Sequence, residues 1–340
     1  MNEHLIRLLV ALAVAAAATP LIRRLALRWS FVDIPGDHKR HRHPVPLMGG
    51  VAIYGSILLT SLILPTSATA TRQWGILAAV TLVALVGLLD DRRGLPVSIK
   101  LLAQLAAAGL LLAVGLFADL SLPAGIDAVL TVLWIVGITN AFNLLDNMDG
   151  LAAGVTAVAA FGFLSLSAAR DGLAPELAAT LVGASLGFLI YNAYPARIFM
   201  GDAGSLTLGL LLAVLGLEIE TGRGAGEPWV AALVPVLVLG VPIFDTTLVT
   251  VSRLRRGYNP LTQPGQDHLS HRLKQRGISV PGVLLRVSLL GCVCAALAVA
   301  AARYGTGIAL LVTGATMLLG TWAILKLDGP PGAPDPEIGR

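Results

Sequence analysis

The chain has 340 residues, of which 56% are hydrophobic and 13% charged, and its formal net charge is +4. Soluble domains carry roughly 25% charged residues, so this composition excludes a soluble globular protein and indicates a protein of the bilayer. The two cysteines, Cys292 and Cys294, lie in an apolar run without metal-type neighbours, and we expect them to be packing residues.

Apolar segments of membrane length follow one another along the chain. A helix needs roughly 20 residues to cross the hydrocarbon core of a bilayer. We predict about eleven such helices, at approximately 5–22, 47–65, 74–90, 100–118, 126–143, 150–168, 176–195, 204–220, 229–250, 281–303 and 306–326. The predicted fold class is therefore an all-α polytopic membrane protein.

The distribution of Lys and Arg predicts the orientation of these helices. With the N-terminus outside and the C-terminus cytoplasmic, most of the 24 basic residues fall in cytoplasmic loops, as the positive-inside rule requires. Arg23, Arg24 and Arg28 follow the first apolar run, whereas a secretory signal carries its charge in front. We therefore expect this run to be a retained span.

A single integral-membrane domain is predicted over residues 1–327, with long hydrophilic cytoplasmic loops at 23–47 and 251–280. Residues 328–340 are rich in Pro and Gly and are predicted to form a disordered tail. No internal repeat suggests the inverted halves of a transporter.

Acidic residues stand where apolar runs end on the predicted cytoplasmic side, namely Asp90, Asp91, Asp146, Asp149 and Asp202. A carboxylate at the membrane edge is costly unless something pairs with it, so their convergence predicts a site that holds a cation. The pair Asp90 and Asp91 has a simpler alternative, a solvated helix end balanced by the two arginines that follow. The acids together favour a metal-assisted membrane enzyme.

Two further motifs supply oxygen ligands and glycines. Asn140, Asn143 and Asp146 are spaced by three residues and share a helix face, which suits Mg²⁺, although hydrogen bonding between helices would also explain them. Asp202 stands before the eighth apolar run, between Gly201 and Gly204, at a predicted helix N-terminus that could bind phosphate. The alternative is an ordinary Asp cap.

The loop after the ninth apolar run is strongly basic. Its cationic and imidazole side chains are Arg253, Arg255, Arg256, His268, His271, Arg272, Lys274 and Arg276. Beside a carboxylate cluster, such side chains could clamp the oxygens of a diphosphate. Attraction to anionic lipids is the simpler alternative, and zinc is disfavoured because no Cys accompanies the two histidines.

The chain resembles the polyprenyl-phosphate N-acetylhexosamine-1-phosphate transferases. The resemblance covers nearly the whole chain through five ordered motifs: DIPGDHKRHRHPVPLMGG, GLLDDRRGLP, NAFNLLDNMDGLAAG, FMGDAGS and DHLSHRL. The form of the first and last motifs is similar to the branch that transfers GlcNAc-1-phosphate. Two departures stand out: Ser270 occupies a position where His is usual, and Asn147 one where Gly is common.

The resemblance implies transfer of HexNAc-1-phosphate, in the first instance GlcNAc-1-phosphate, from a UDP-sugar to undecaprenyl phosphate. UMP would be released, and the lipid-linked sugar would initiate a cell-envelope glycan such as lipopolysaccharide or teichoic acid. A UDP-MurNAc-pentapeptide or modified HexNAc donor stays open. The implied location is the bacterial plasma (inner) membrane, with the active site on the cytoplasmic face. Membrane lipids and a second copy in a homodimer are the other expected partners, and no nucleic acid is expected.

The resemblance also implies roles for individual residues. Asp202 and Asn143 would bind Mg²⁺, for which Mn²⁺ could substitute. Asp90 would deprotonate or position the lipid phosphate, with Asp91 in support. The residues expected to act in catalysis or bind substrate around them are His268, His271, Lys39, His41, Lys100, Asp146, Asp149, Phe199 and Arg272.

Two other classes of protein agree less well with the sequence. An ion-coupled transporter would place its acids near the bilayer midplane, whereas these cluster at one end of the apolar runs. A CDP-alcohol phosphatidyltransferase would share the DxxDG of residues 146–150, but that family's pattern does not continue in the following residues.

Overall fold

The computed structural model describes residues 2–33, 44–169, 172–219, 232–260, 265 and 267–328. Its helices are α1 (Asn2–Arg28), α2 (Gly49–Ile63), α3 (Ala70–Arg93), α4 (Val97–Ala113), α5 (Ala124–Leu145), α6 (Leu151–Ser167), α7 (Leu173–Asn192), α8 (Gly201–Glu218), α9 (Leu233–Val238), α10 (Gly240–Arg255), α11 (Leu269–Gln275), α12 (Val280–Tyr304) and α13 (Thr306–Leu327). Two short antiparallel strands, β1 (Val32–Asp33) and β2 (Val45–Pro46), pair Val32 with Pro46. The all-α fold class is confirmed.

In the part of the chain that the structure describes, ten of the eleven predicted apolar segments each overlap one helix. Within the described residues, seven helices have the length and apolar composition needed to cross a membrane, and α2, α4 and α6 are shorter apolar helices. Large apolar side chains, among them Leu102, Leu133 and Leu318, are exposed on the outer faces of the bundle, as expected of helices in contact with lipid. The chain is a multi-pass membrane protein, and the number of spans and their orientation stay predictions.

The ninth predicted segment, 229–250, is two helices rather than one. Helix α9 ends at Val238 and α10 begins at Gly240. Pro242 explains the break, because it lacks an N–H group and its ring clashes with the carbonyl four residues earlier, at Val238. The Leu239 N–H still donates to the Pro235 carbonyl, so helical hydrogen bonding extends up to the break.

Helix α8 is the central element of the bundle. Every residue from Ala203 to Gly216 is buried, and α2, α3, α5, α6 and α7 pack around it. Helix α3 runs antiparallel to α8, since Arg72 near its start pairs with Glu218 at the end of α8. Helix α5 is also antiparallel, with the Trp134 indole donating to the Ala213 carbonyl. The ends of α3 and α5 therefore meet the start of α8.

Glycines allow this close packing. A Cβ at Gly87 of α3 would lie 2.5 Å from the backbone nitrogen of Ala203, so only a residue without a side chain fits there. At the interface of α1 with α7, a Cβ at Gly183 or Gly187 would meet the backbone of α1, so the absence of a side chain lets the two helices pack closely.

Candidate active site

A lysine bridges two carboxylates where α3, α4 and α8 meet. Lys100 Nζ lies 3.0 Å from Asp90 Oδ2 and 2.9 Å from Asp202 Oδ2. The three side chains are between 13% and 23% exposed, so the cluster is mostly buried but still accessible. Charge-assisted hydrogen bonds of this kind are shorter and stronger than neutral ones. The structure thus brings together three of the predicted site residues from distant parts of the sequence.

Asp91 has a different task from its neighbour. Its Oδ1 accepts a hydrogen bond from the Asp202 N–H at 2.7 Å, and its Oδ2 accepts one from the Ala203 N–H at 3.2 Å. These are free donors of the first turn of α8, which a carboxylate satisfies well. Gly201, with φ of 66°, is required here because a Cβ would lie 2.6 Å from Asp91 Oδ1. Asp91 therefore fixes the turn that carries Asp202.

Asn143 completes the setting of Asp202. Its Nδ2 donates to Asp202 Oδ1 and to Ser205 Oγ, both at 2.9 Å. Asn140, on the same helix, instead pairs with Gln104 of α4, whose Nε2 donates to Asn140 Oδ1 at 3.2 Å. The alternative of hydrogen bonding between helices thus describes Asn140, while Asn143 reaches the candidate site.

The loop DNMDG holds the remaining two acids. Asp146 directly follows α5 and is half-buried. Burial raises the pKa of Asp146 to about 7, and the negative charges of Asp202 and Asp149 add to this effect. Asp149 Oδ2 accepts a hydrogen bond from the Ala196 N–H at 2.9 Å. Of the five acids, Asp90 and Asp202 both contact Lys100, and Asp91 and Asp149 accept hydrogen bonds from backbone N–H groups.

Asn192, at the end of α7, fixes the segment that carries Phe199. Its Oδ1 accepts from the Gly150 N–H at 3.1 Å, and its Nδ2 donates to the Ile198 carbonyl at 3.0 Å. The half-buried Phe199 then pairs through its backbone with Pro46 and Gly49, at 2.8 and 2.9 Å. Sequence reasoning missed Asn192, although a polar residue at the end of an apolar run signals it.

His268 is held by an acid that sequence reasoning also missed. Asp245 of α10 is 1% exposed; its Oδ2 lies 2.8 Å from His268 Nδ1, and its Oδ1 accepts from the Leu269 N–H at 2.7 Å. The signal was an acid inside the ninth apolar run, in the sequence PIFDTT. The ring of His271 lies 6.1 Å from that of His268, centroid to centroid. Asp245 thus orients one of the two predicted histidines.

Arg272 is committed to the protein itself. Its Nε donates to the Asp267 carbonyl at 2.7 Å, its Nη1 to the Leu327 carbonyl at 2.6 Å and its Nη2 to Ser252 Oγ at 2.8 Å. Burial lowers its pKa. All three guanidinium nitrogens have protein acceptors, so the geometry gives no support to the expected substrate contact. Arg272 instead holds α11 against α10 and the end of α13.

Other basic residues of this loop are likewise balanced by acids. Arg253 forms two hydrogen bonds with the Asp267 carboxylate, at 2.8 and 2.9 Å. Burial alone would raise the pKa of Asp267, but the hydrogen bonds and charge of Arg253 outweigh it and hold the pKa below its usual value. Asp328, the first residue of the predicted tail, is 8% exposed and accepts from Arg255 at 2.9 Å. These arginines stabilise the fold, so fewer of the basic residues in the predicted clamp are left to contact a diphosphate.

Lys39 and His41 lie outside the described residues, as do the tail residues 329–340.

The oxygen donors around Asp202 match part of the coordination shell that Mg²⁺ prefers. Within the described ranges, no group of three or more His, Cys, Asp or Glu side chains could hold a metal ion. Mg²⁺, however, is commonly bound through one or two carboxylates, with water and substrate phosphates completing its shell. Asp202 and Asn143 are in contact, and a half-turn of the Asn143 amide exchanges its nitrogen for its oxygen. The residues fit a Mg²⁺ ion that is also bound by substrate phosphates. They do not fit an ion bound by protein ligands alone.

The fold and the site define a class of protein: a polytopic membrane protein whose acid-rich polar site lies at one end of its helix bundle. Comparison with known proteins agrees with this class. The model of glycosyl transferase family 4 matches residues 73–220, which include Asp90, Lys100, Asn143 and Asp202.

Relatives match over most of the chain. A probable undecaprenyl-phosphate N-acetylglucosaminyl 1-phosphate transferase of Bacillus subtilis is 35% identical, covering 86% of this chain and 84% of that protein. A decaprenyl-phosphate N-acetylglucosaminephosphotransferase of Mycolicibacterium smegmatis is 32% identical, covering 96% and 90%. The undecaprenyl-phosphate alpha-N-acetylglucosaminyl 1-phosphate transferase of Escherichia coli K12 is 27% identical, covering 82% and 78%. The chain belongs to the polyprenyl-phosphate N-acetylhexosamine-1-phosphate transferase family.

Proposed function

We propose that this protein transfers GlcNAc-1-phosphate from UDP-GlcNAc to undecaprenyl phosphate, giving a lipid-linked diphosphate sugar and UMP. The relatives are named for transfer of N-acetylglucosamine phosphate to undecaprenyl or decaprenyl phosphate. The observation that carries the proposal is the pair Asp90 and Asp202, bridged by Lys100 at the end of the bundle. The lipid product would initiate a cell-envelope glycan.

The chemistry requires that two anions approach each other. Phosphoryl transfer depends mainly on in-line positioning and on neutralising charge, with little covalent work for the protein. Lys100 is within hydrogen-bond distance of both acids, so it can turn toward phosphate oxygens while it stays near them. Asp90 is then the carboxylate placed to accept a proton from the lipid phosphate or to orient it.

Mg²⁺ is the cofactor that this donor set supports, with Mn²⁺ as a substitute. Asp202 and Asn143 would hold it, and when bound it would neutralise phosphate charge and polarise the transferred phosphoryl group. Asp91 contributes by holding the backbone of the first turn of α8, so that the Asp202 carboxylate stays in place. The protein thereby orders its metal ligand before substrate binds.

His268 and His271 are proposed to contact the diphosphate or the sugar. The Asp245 carboxylate accepts a hydrogen bond from the Nδ1–H of His268, so Nε2 is the acceptor when the ring is neutral. A histidine oriented in this way can accept a substrate hydrogen bond or pass a proton at Nε2. Phe199 and Asp149 lie on segments that Asn192 joins, and we assign the uridine to this region.

The location of the site suits two substrates of opposite character. The donor is water-soluble and the acceptor is a membrane lipid, so they can meet at the membrane edge, where the polar ends of α3, α5 and α8 lie. We place this edge on the cytoplasmic face of the plasma (inner) membrane, because the basic residues concentrate in the loops on that side. A homodimer is a further expectation, which native mass spectrometry of the purified protein tests.

A donor panel tests the proposal. Purified protein is incubated with undecaprenyl phosphate, Mg²⁺ and radiolabelled UDP-GlcNAc, modified UDP-HexNAc or UDP-MurNAc-pentapeptide, and lipid-linked label and UMP are measured. We expect product from UDP-GlcNAc, and loss of product when EDTA removes the metal. Product from another donor alone would change the sugar assignment, and no lipid-linked product from any donor would overturn the function.

A further inference from the structure

A hydrogen bond joins two motifs of the site that are far apart in sequence. Ser270 Oγ donates to Asn147 Oδ1 at 2.5 Å, across 123 positions of sequence. The amide of Asn147 is fixed in this orientation, because its Nδ2 donates to the Leu144 carbonyl at 2.9 Å. Ser270 is 2% exposed, so water cannot readily replace this partner.

The two residues occupy informative positions. Asn147 lies in DNMDG, next to Asp146 and two residues before Asp149. Ser270 lies in the first turn of α11, between His268 and His271. The bond therefore links the acidic loop that follows α5 to the helix that carries the histidines.

The same two positions are the departures from the family motifs noted in the sequence. A glycine at position 147 would offer no side-chain acceptor to Ser270. A histidine at position 270 would bring a bulky ring to the place where the Asn147 amide now lies. Each departure thus makes physical sense in the presence of the other.

We propose that Asn147 and Ser270 form one positioning unit, which fixes the histidine helix against the acidic loop for the transfer reaction. The unit rests on the proposed function, since its task is to align groups from both motifs on one substrate. Ser270 carries no proton-transfer role, because its hydroxyl donates a hydrogen bond to Asn147 and cannot hold a positive charge; its oxygen also lies 3.5 Å from His271 Nδ1. Proton transfer in this motif is left to His268 and His271.

The sharpest test compares S270T with S270V, which differ in one hydroxyl group at nearly equal volume. Both are measured for kcat and for KM of UDP-GlcNAc, and for thermal unfolding in detergent. We expect S270T to stay within about threefold of the wild type and S270V to lose about tenfold in kcat with KM little changed, because misplaced groups slow the chemical step. Equal kcat values for S270T and S270V would overturn the proposal.

A double-mutant cycle measures the coupling. N147A and S270A are each expected to lose about tenfold in kcat. The double variant should lose no more than the less active single variant, because all three lack the same Ser270–Asn147 hydrogen bond. The double variant N147G/S270H is expected to have a kcat about tenfold higher than that of S270H alone. Multiplied losses in the double variant, or full activity of S270H alone, would refute a shared unit.

The cycle also separates this inference from the proposed function. Thermal unfolding of the same variants reports the contact without any substrate. If the wild-type protein makes no lipid product but the unfolding temperatures of the variants shift non-additively, the function is overturned and the contact stands. Additive thermal shifts, together with normal lipid product from the variants, would remove the positioning unit and leave the function intact.

Discussion

Gly87→Ala should uncouple activity from stability at the contact of α3 with α8. The added Cβ would lie 2.5 Å from the Ala203 nitrogen and 2.6 Å from the Asp202 carbonyl oxygen. Non-bonded carbon contacts are comfortable near 3.5 Å, so the helices must separate by about 1 Å. The atoms in the way belong to the backbone, so no side-chain rotation can relieve the contact.

Two opposing effects set the change in the free energy of unfolding. Overpacking typically costs about 1–3 kcal/mol, whereas replacing a helical glycine by alanine returns about 1 kcal/mol. The free energy of unfolding should therefore fall by about 0–2 kcal/mol. Activity should fall much further, by about 100-fold, because a displacement of 1 Å moves Asp202 and its hydrogen bonds with Asp91 out of alignment.

The assay is transfer of labelled GlcNAc-phosphate to undecaprenyl phosphate, with thermal unfolding measured in parallel. Gly109→Ala in α4 is the matched control, because nothing lies within 4 Å of its added Cβ. It should keep full activity and gain slightly in stability. Wild-type activity in G87A would show that the close approach of α3 to α8 does not set the site.

Two other predictions test single contacts. D245N loses the charge that orients His268. Its kcat should fall by about 100-fold, which is the scale of one acid–base contribution. A near-normal kcat would remove His268 from the mechanism. Because the folded-state pKa of Asp146 is raised to about 7, the stability contributed by its protonation is complete below the unfolded pKa near 3.8, and it is lost as pH rises through 7. D146N in EDTA should therefore be more stable than the wild type at pH 8, by up to about 4 kcal/mol, with a smaller gain at pH 5. Parallel thermal profiles of D146N and wild type from pH 5 to 8 would contradict this account of Asp146.

The helices and the place of the site could be predicted because both follow from local sequence. Apolar length gave the helices, and acids at the ends of apolar runs marked where polar groups gather. Adjacent residues on a helix point about 100° apart, so Asp90 and Asp91 cannot both face the same group. The structure shows one bonded to Lys100 and the other to the first turn of α8.

Other features depend on contacts between distant residues, which a local pattern does not encode. The basic loop looked like a diphosphate clamp, but Arg253 and Arg272 are satisfied within the protein. Asp328 belonged to a predicted tail by composition, yet it is buried beside Ser252, which donates to it at 2.7 Å. Pro242 signals the helix break and Asp245 the partner of His268. Both signals were overlooked because the surrounding segment is so apolar.

The most direct test of the central claim is transfer activity in D90N and D202A. Both are compared with D119N, which changes an exposed carboxylate in the loop after α4, at the opposite end of that helix from Lys100. The account predicts lipid-linked GlcNAc from the wild type and D119N, and none detectable from D90N or D202A while both remain folded. Activity of either variant within tenfold of the wild type would show that the acids bridged by Lys100 are not the reactive centre.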